Sequence, residues 1–126
     1  MRRLLLTLGL LAIALPAYAA PPVRTLVVTP TTPTAGETIH FSGCGYGANK
    51  DVGLWLETAT EPRFFVGLRL DAEGCFDTAA MDPVYGYSFD LPAGDYEVYA
   101  NMKHGSGVGD YGNGKPVAEV YFTVVP

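Results

Sequence analysis

From Thr38 to Ser42 the chain alternates polar and apolar residues, Thr-Ile-His-Phe-Ser. A period of two marks a strand with one buried face. The pattern predicts a strand over Glu37–Gly43, with Ile39, Phe41 and Gly43 inward and Thr38, His40 and Ser42 outward. The same period recurs along the chain. Asp51–Thr58 places Val52, Leu54 and Leu56 on one face and Gly53, Trp55 and Glu57 on the other. Phe64–Leu70 separates Phe64, Val66, Leu68 and Leu70 from Phe65, Gly67 and Arg69. Cys75–Ala80 turns Phe76 and Thr78 inward. Gly94–Lys103 turns in Tyr96, Val98, Ala100 and Met102, and Val117–Val125 turns in Ala118, Val120, Phe122 and Val124. Arg24–Thr29 is a further apolar strand, which makes seven.

The segments between these strands are turn chemistry. Pro30–Thr34 cannot be a central strand, because proline lacks the ladder donor, so it reads as a kinked edge or a strand switch. Asp71–Gly74 reads as a tight hairpin turn with Gly74 free to take a positive φ. Met81–Ala93 and the glycine-rich His104–Lys115 are long connections. No segment carries a helical apolar period of useful length. Short punctuated strands of this kind predict an all-β antiparallel sandwich.

The N-terminus changes the picture of where the chain works. Arg2 and Arg3, an apolar run from Leu4 to Leu15, and Ala17-Tyr18-Ala19 have the order of a secretory signal peptide cut after Ala19. The run is too short for a membrane span. The expected division is residues 1–19 as signal peptide and 20–126 as one domain, in a periplasm or outside the cell. Cleavage removes two arginines and leaves six basic against 13 acidic residues, a net charge of −7 with histidine neutral. Such a charge disfavours nucleic acid and anionic lipid as partners. Two cysteines, Cys44 and Cys75, in an exported chain predict one intramolecular disulfide; free thiols or an intermolecular bond are the alternatives.

The run VVTPTTPTAGETIHFSGCGYGANKDVGLWL, then LDAEGCF, LPAGDYEVYA and VYFTV, resembles the immunoglobulin-like modules of bacterial exported proteins. The resemblance covers nearly all of the mature chain and implies a seven-strand sandwich. It also implies that the strands carrying Cys44 and Cys75 are neighbours in one sheet, with the bridge near its rim. Strand Gly94–Lys103 carries Tyr96 but no cysteine, unlike antibody domains. The apoproteins that carry enediyne antibiotics are similar in size and opening pattern, though this chain lacks a second cysteine pair.

Candidate chemistry is sparse. His104, Ser106 and Asp110 fall within seven residues without a nucleophile elbow, so they do not make a triad. Asp71, Glu73 and Asp77 flank a turn, but not at the spacing of a calcium loop. No acid pair with a cleft stands out, and no cofactor or metal is expected. The informative pattern is aromatic. Strict alternation with an immunoglobulin strand order places Phe65, Trp55, Tyr99 and Tyr121 in a row across the outer face of one sheet. Glu57, Glu97, Glu119, Arg69 and Asn101 flank that row. Flat aromatics with polar neighbours suit a sugar, a protein partner or a self-interface. The alternatives are that Trp55 points into the core, or that the 81–93 connection covers the row. The expected function is a non-catalytic binding or structural module recognising a protein or carbohydrate of the cell envelope, alone, as a homo-oligomer or as an accessory subunit. The alternative is a small-ligand carrier with its site between end loops around Tyr46, Tyr85 and Tyr111.

Overall fold

The computed structural model describes residues 23–81, 89–103 and 116–126. The expected signal peptide, Tyr85, Tyr111 and the histidine-serine-aspartate cluster lie outside the described residues.

Seven strands form two antiparallel sheets with no helix among the described residues. One sheet has the order β1 (Val27–Thr29), β2 (His40–Gly43), β5 (Phe76–Asp77). The other has the order β4 (Arg63–Arg69), β3 (Asp51–Glu57), β6 (Gly94–Met102), β7 (Ala118–Val124). The faces assigned by alternation meet in a single core. Ile39, Phe41, Val52, Leu54, Val66, Leu68, Val98 and Ala100 are wholly buried. Phe41 stands at its centre, with ring centroids 5.5 Å from Phe65, 5.2 Å from Phe89 and 6.0 Å from Phe122. Full burial of such a side chain contributes roughly 1.5–3 kcal/mol.

Pro30–Thr34 is a strand switch. After β1 the chain leaves β2 and crosses to the end of the other sheet, where Thr34 bridges Val125 in parallel. The Val125 amide donates to the Pro33 carbonyl at 2.8 Å, and the Ala35 amide donates to Val125 at 2.7 Å. The bridge draws on the carbonyl of Pro33 and the amide of Ala35, so the donor that proline lacks is not called on.

Two predicted elements are shorter than alternation suggests. Strand β2 begins at His40 rather than Glu37, because the Gly36 and Ile39 amides donate to Leu91 and Phe89 instead. Strand β5 ends at Asp77 rather than Ala80, because Asp77 closes a turn on the Ala79, Ala80 and Met81 amides. Thr78 still joins the ladder by an unusual route: its amide donates to Phe41, and its hydroxyl accepts from the Phe41 amide at 2.9 Å.

Asp71–Gly74 is a turn, as predicted, but it is not a hairpin. It carries the chain from β4 in one sheet to β5 in the other. Asp71 Oδ1 accepts the Glu73 and Cys75 amides, each at 2.9 Å. Gly74 has φ +76°, and a Cβ there would lie 2.7 Å from the Gly47 backbone nitrogen, so only glycine fits.

The Cys44–Cys75 disulfide is present and closes a separation of 31 residues. The β2–β5 register pairs Gly43 with Phe76, which sets Cys44 opposite Cys75 one step beyond the ladder. Their Cα atoms are 4.0 Å apart. Cys44 is exposed, so the bridge fastens the sheet rim and not the core. The loop-closure account assigns such a bridge about 3–4 kcal/mol. A disulfide is consistent with an oxidising compartment. No helix among the described residues is long and apolar enough to cross a membrane.

Candidate binding face

The outer face of the four-stranded sheet is built in rungs, because alternate residues of neighbouring strands stand side by side. At one end Arg69 pairs with Asp51, and the Lys103 amide donates to the Asp51 carbonyl at 3.0 Å. The next rung is Gly67, Gly53 and Asn101. Then come Phe64, Trp55, Tyr99 and Glu119. Glu57, Glu97 and Tyr121 follow, and Asp95 with Thr123 closes the far end.

The aromatic row is therefore real in outline and different in one member. Trp55 is half-buried on the outer face; the core positions to either side of it belong to Leu54 and Leu56. Its ring lies parallel to Tyr99, with an interplanar angle of 5° and a centroid distance of 6.4 Å. Its other neighbour is Phe64, at 5.3 Å, and not Phe65. Between Leu54 and Trp55 the β3–β4 register shifts, so Val66 faces Leu54 while Phe64 faces Trp55. A bulge of one residue reverses which face the following side chains take. Phe65 consequently turns inward and stacks on Phe89 at 4.1 Å. The expectation that Phe65 stands in the outer row is corrected on that geometry. Tyr121 is 68% exposed, diagonal to Tyr99 on edge strand β7. The described part of the 81–93 connection contributes Phe89 to the core.

The two ends of the face differ in charge. Asp51 accepts from Arg69 Nε and lies 3.5 Å from Lys103 Nζ. At the opposite end Glu57 is directly across from Glu97, and Glu119 and Tyr121 complete the group. Burial, then a hydrogen bond with Glu119 and the charges of Glu119 and Glu57, pushes the Glu97 carboxyl above the usual range; a bond with Tyr121 opposes this. Burial, then the charges of Glu57 and Glu97, pushes the Tyr99 phenol up as well. An open groove of about 450 Å³ runs along this end, lined by Glu57, Glu97, Tyr121 and Thr123 among others. Such a surface offers flat rings for stacking and carboxylates that accept hydrogen bonds or meet a cation.

Other candidates resolve differently. Asp71 and Asp77 spend their Oδ1 atoms on backbone amides and serve as turn formers. Tyr46 is buried; its hydroxyl donates to the Thr25 carbonyl at 2.6 Å and its ring packs on Phe76 at 5.4 Å. Sequence reasoning missed Phe64, and the adjacent Phe64-Phe65 pair held the only signal that either ring could fill the row. No family model and no curated protein matches this sequence.

Proposed function

We propose that this chain is an exported, non-catalytic binding module that holds a protein or carbohydrate of the cell envelope against the outer face of its four-stranded sheet. The observation that carries this reading is the band of Phe64, Trp55 and Tyr99 across three adjacent strands, extended by exposed Tyr121. Anchoring side chains at interfaces are typically Trp and Tyr set among polar groups. The sheet orders β1-β2-β5 and β4-β3-β6-β7 match the A-B-E and C′-C-F-G orders of immunoglobulin-like domains and support that finer reading of the fold. The N-terminal charge and apolar run, with the disulfide, support export.

The test compares Trp55→Ala and Tyr121→Ala with the parent chain, by co-sedimentation with insoluble envelope polysaccharide and by cross-linking in living cells. Trp55 is only half-buried on the outer face, so its removal costs less than the roughly 3–5 kcal/mol of a core aromatic. Both variants are expected to fold and to lose retention at least about tenfold, the equivalent of about 1.4 kcal/mol. Parent-like binding by both variants, or no retention of the parent in either assay, removes the reading.

A further inference from the structure

The basic end of the sheet opens into a pocket of about 480 Å³, within the range of small-ligand sites. Four cations line it, Arg24, Lys50, Arg69 and Lys103, and Asp51 is the one carboxylate among the lining residues. These are four of the six basic residues that follow Ala19 in a chain with 13 acids. They come from the lead before β1, the turn before β3, the end of β4 and the residue after β6. Only the fold brings them together.

The arrangement is partly built in advance. Asp51, whose side chain is 10% exposed, holds Arg69 through Nε and Lys103 through Nζ, and Lys103 is itself only 12% exposed. The Arg69 side chain remains 64% exposed. Arg24 and Lys50 are exposed and make no ion pair among the described residues. One carboxylate offsets one of four positive charges, leaving a local charge of +3 in a strongly acidic molecule. Like charges gathered around a concave surface raise the local potential and concentrate anions there. Guanidinium forks and ammonium point charges together match phosphate and carboxylate oxygens.

We propose that this rim pocket binds a small multivalent oxyanion bearing two or more phosphate or carboxylate groups. Arg69 and Arg24 supply planar guanidinium groups, and Lys50 and Lys103 supply point charges around them. Asp51 positions Arg69 and Lys103 and makes no contact with the ligand. The site lies at the opposite end of the sheet from the Glu57–Glu97–Tyr121 group and does not depend on the aromatic face.

The experiment titrates the mature chain with pyrophosphate and with citrate, by calorimetry and by amide shifts, and in parallel with vesicles containing phosphatidylglycerol. Saturable binding of at least one free anion is expected, with shifts centred on residues 49–51, 69 and 103. The double variant Arg24→Gln/Lys50→Gln alters only exposed side chains, and an unchanged melting temperature verifies its fold. It should bind at least about tenfold more weakly, whereas Arg63→Gln, a cation outside the pocket, should bind like the parent. No saturable binding below about 10 mM overturns the proposal, a concentration at which affinity falls under about 3 kcal/mol. Equal loss in Arg63→Gln also overturns it, since binding would then follow total charge. Capture by vesicles without uptake of either free anion overturns it in favour of a lipid surface.

Discussion

Tyr46 ties the rim of one sheet to the strand beside it. Its hydroxyl donates to the Thr25 carbonyl, next to the Thr25–Cys44 backbone pair, while its ring fills space against Phe76. Burial pushes the phenol well above its ordinary range, and the nearby Arg24 charge opposes this only in part. A group whose native pKa is raised stabilises the fold fully below its unfolded pKa, about 10 for tyrosine. That contribution is lost as the pH climbs from there through the native value. Tyr46→Phe should therefore cost about 1 kcal/mol at pH 7, for the lost hydrogen bond. It should also lose less stability than the parent between about pH 10 and 11.5. Urea denaturation across that range measures both effects; parallel curves would show that Tyr46 ionises as freely as an exposed phenol.

At the scale of the strand, the decisive feature is the register shift between Leu54 and Trp55. It sends Phe64 outward to Trp55 and Phe65 inward to Phe41 and Phe89. Phe65→Ala should cost about 3 kcal/mol, as truncation of a packed aromatic does. Phe64→Ala should cost less than about 1.5 kcal/mol, because its ring packs on Trp55 at the outer face and not on the core rings Phe41 and Phe89. Thermal and urea denaturation of the two variants would reverse that ranking if the strand kept strict alternation. The pair also explains what alternation could and could not say. Strands β3, β6 and β7 place one apolar set on the core side, and a period of two read their buried faces from the chain alone. In Phe-Phe both positions are apolar, so either register satisfies the pattern, and the bulge had no local mark. The early start assigned to β2 fails for a related reason: Gly36 and Ile39 bond to residues about fifty positions away, and only tertiary packing chooses that partner. The rim cations are equally illegible in isolation, because no two of them are within ten residues of each other.

At the scale of the whole molecule, the outer face of the four-stranded sheet sorts its charges, with Arg69 and Lys103 at one end and Glu57, Glu97 and Glu119 towards the other. Like charges set directly across a ladder are destabilising, and Glu57 faces Glu97 in that way. Burial first, and then the bond to Glu119 and the charges of Glu119 and Glu57, raise the Glu97 carboxyl. A raised native pKa means stability is fully present below the unfolded value, about 4.3, and is given up as pH rises through the native one. The parent therefore loses this contribution progressively as the pH rises from there. Glu97→Gln should recover about 0.5 kcal/mol there, the scale of one cross-strand charge pair. The gain should be largest near pH 7.5, shrink towards pH 4.5 as Glu97 takes up its proton, and shrink in 1 M NaCl, where the screening length is about 3 Å. Melting temperatures of the two proteins at those pH values and salt concentrations measure the difference. A variant less stable than the parent at pH 7.5 would mean that the Glu97 charge is offset by bonds to its neighbours. A persistent gain would mean that this end of the sheet keeps three carboxylates at a cost in stability, which a partner presenting a cation or hydroxyl groups would offset on binding.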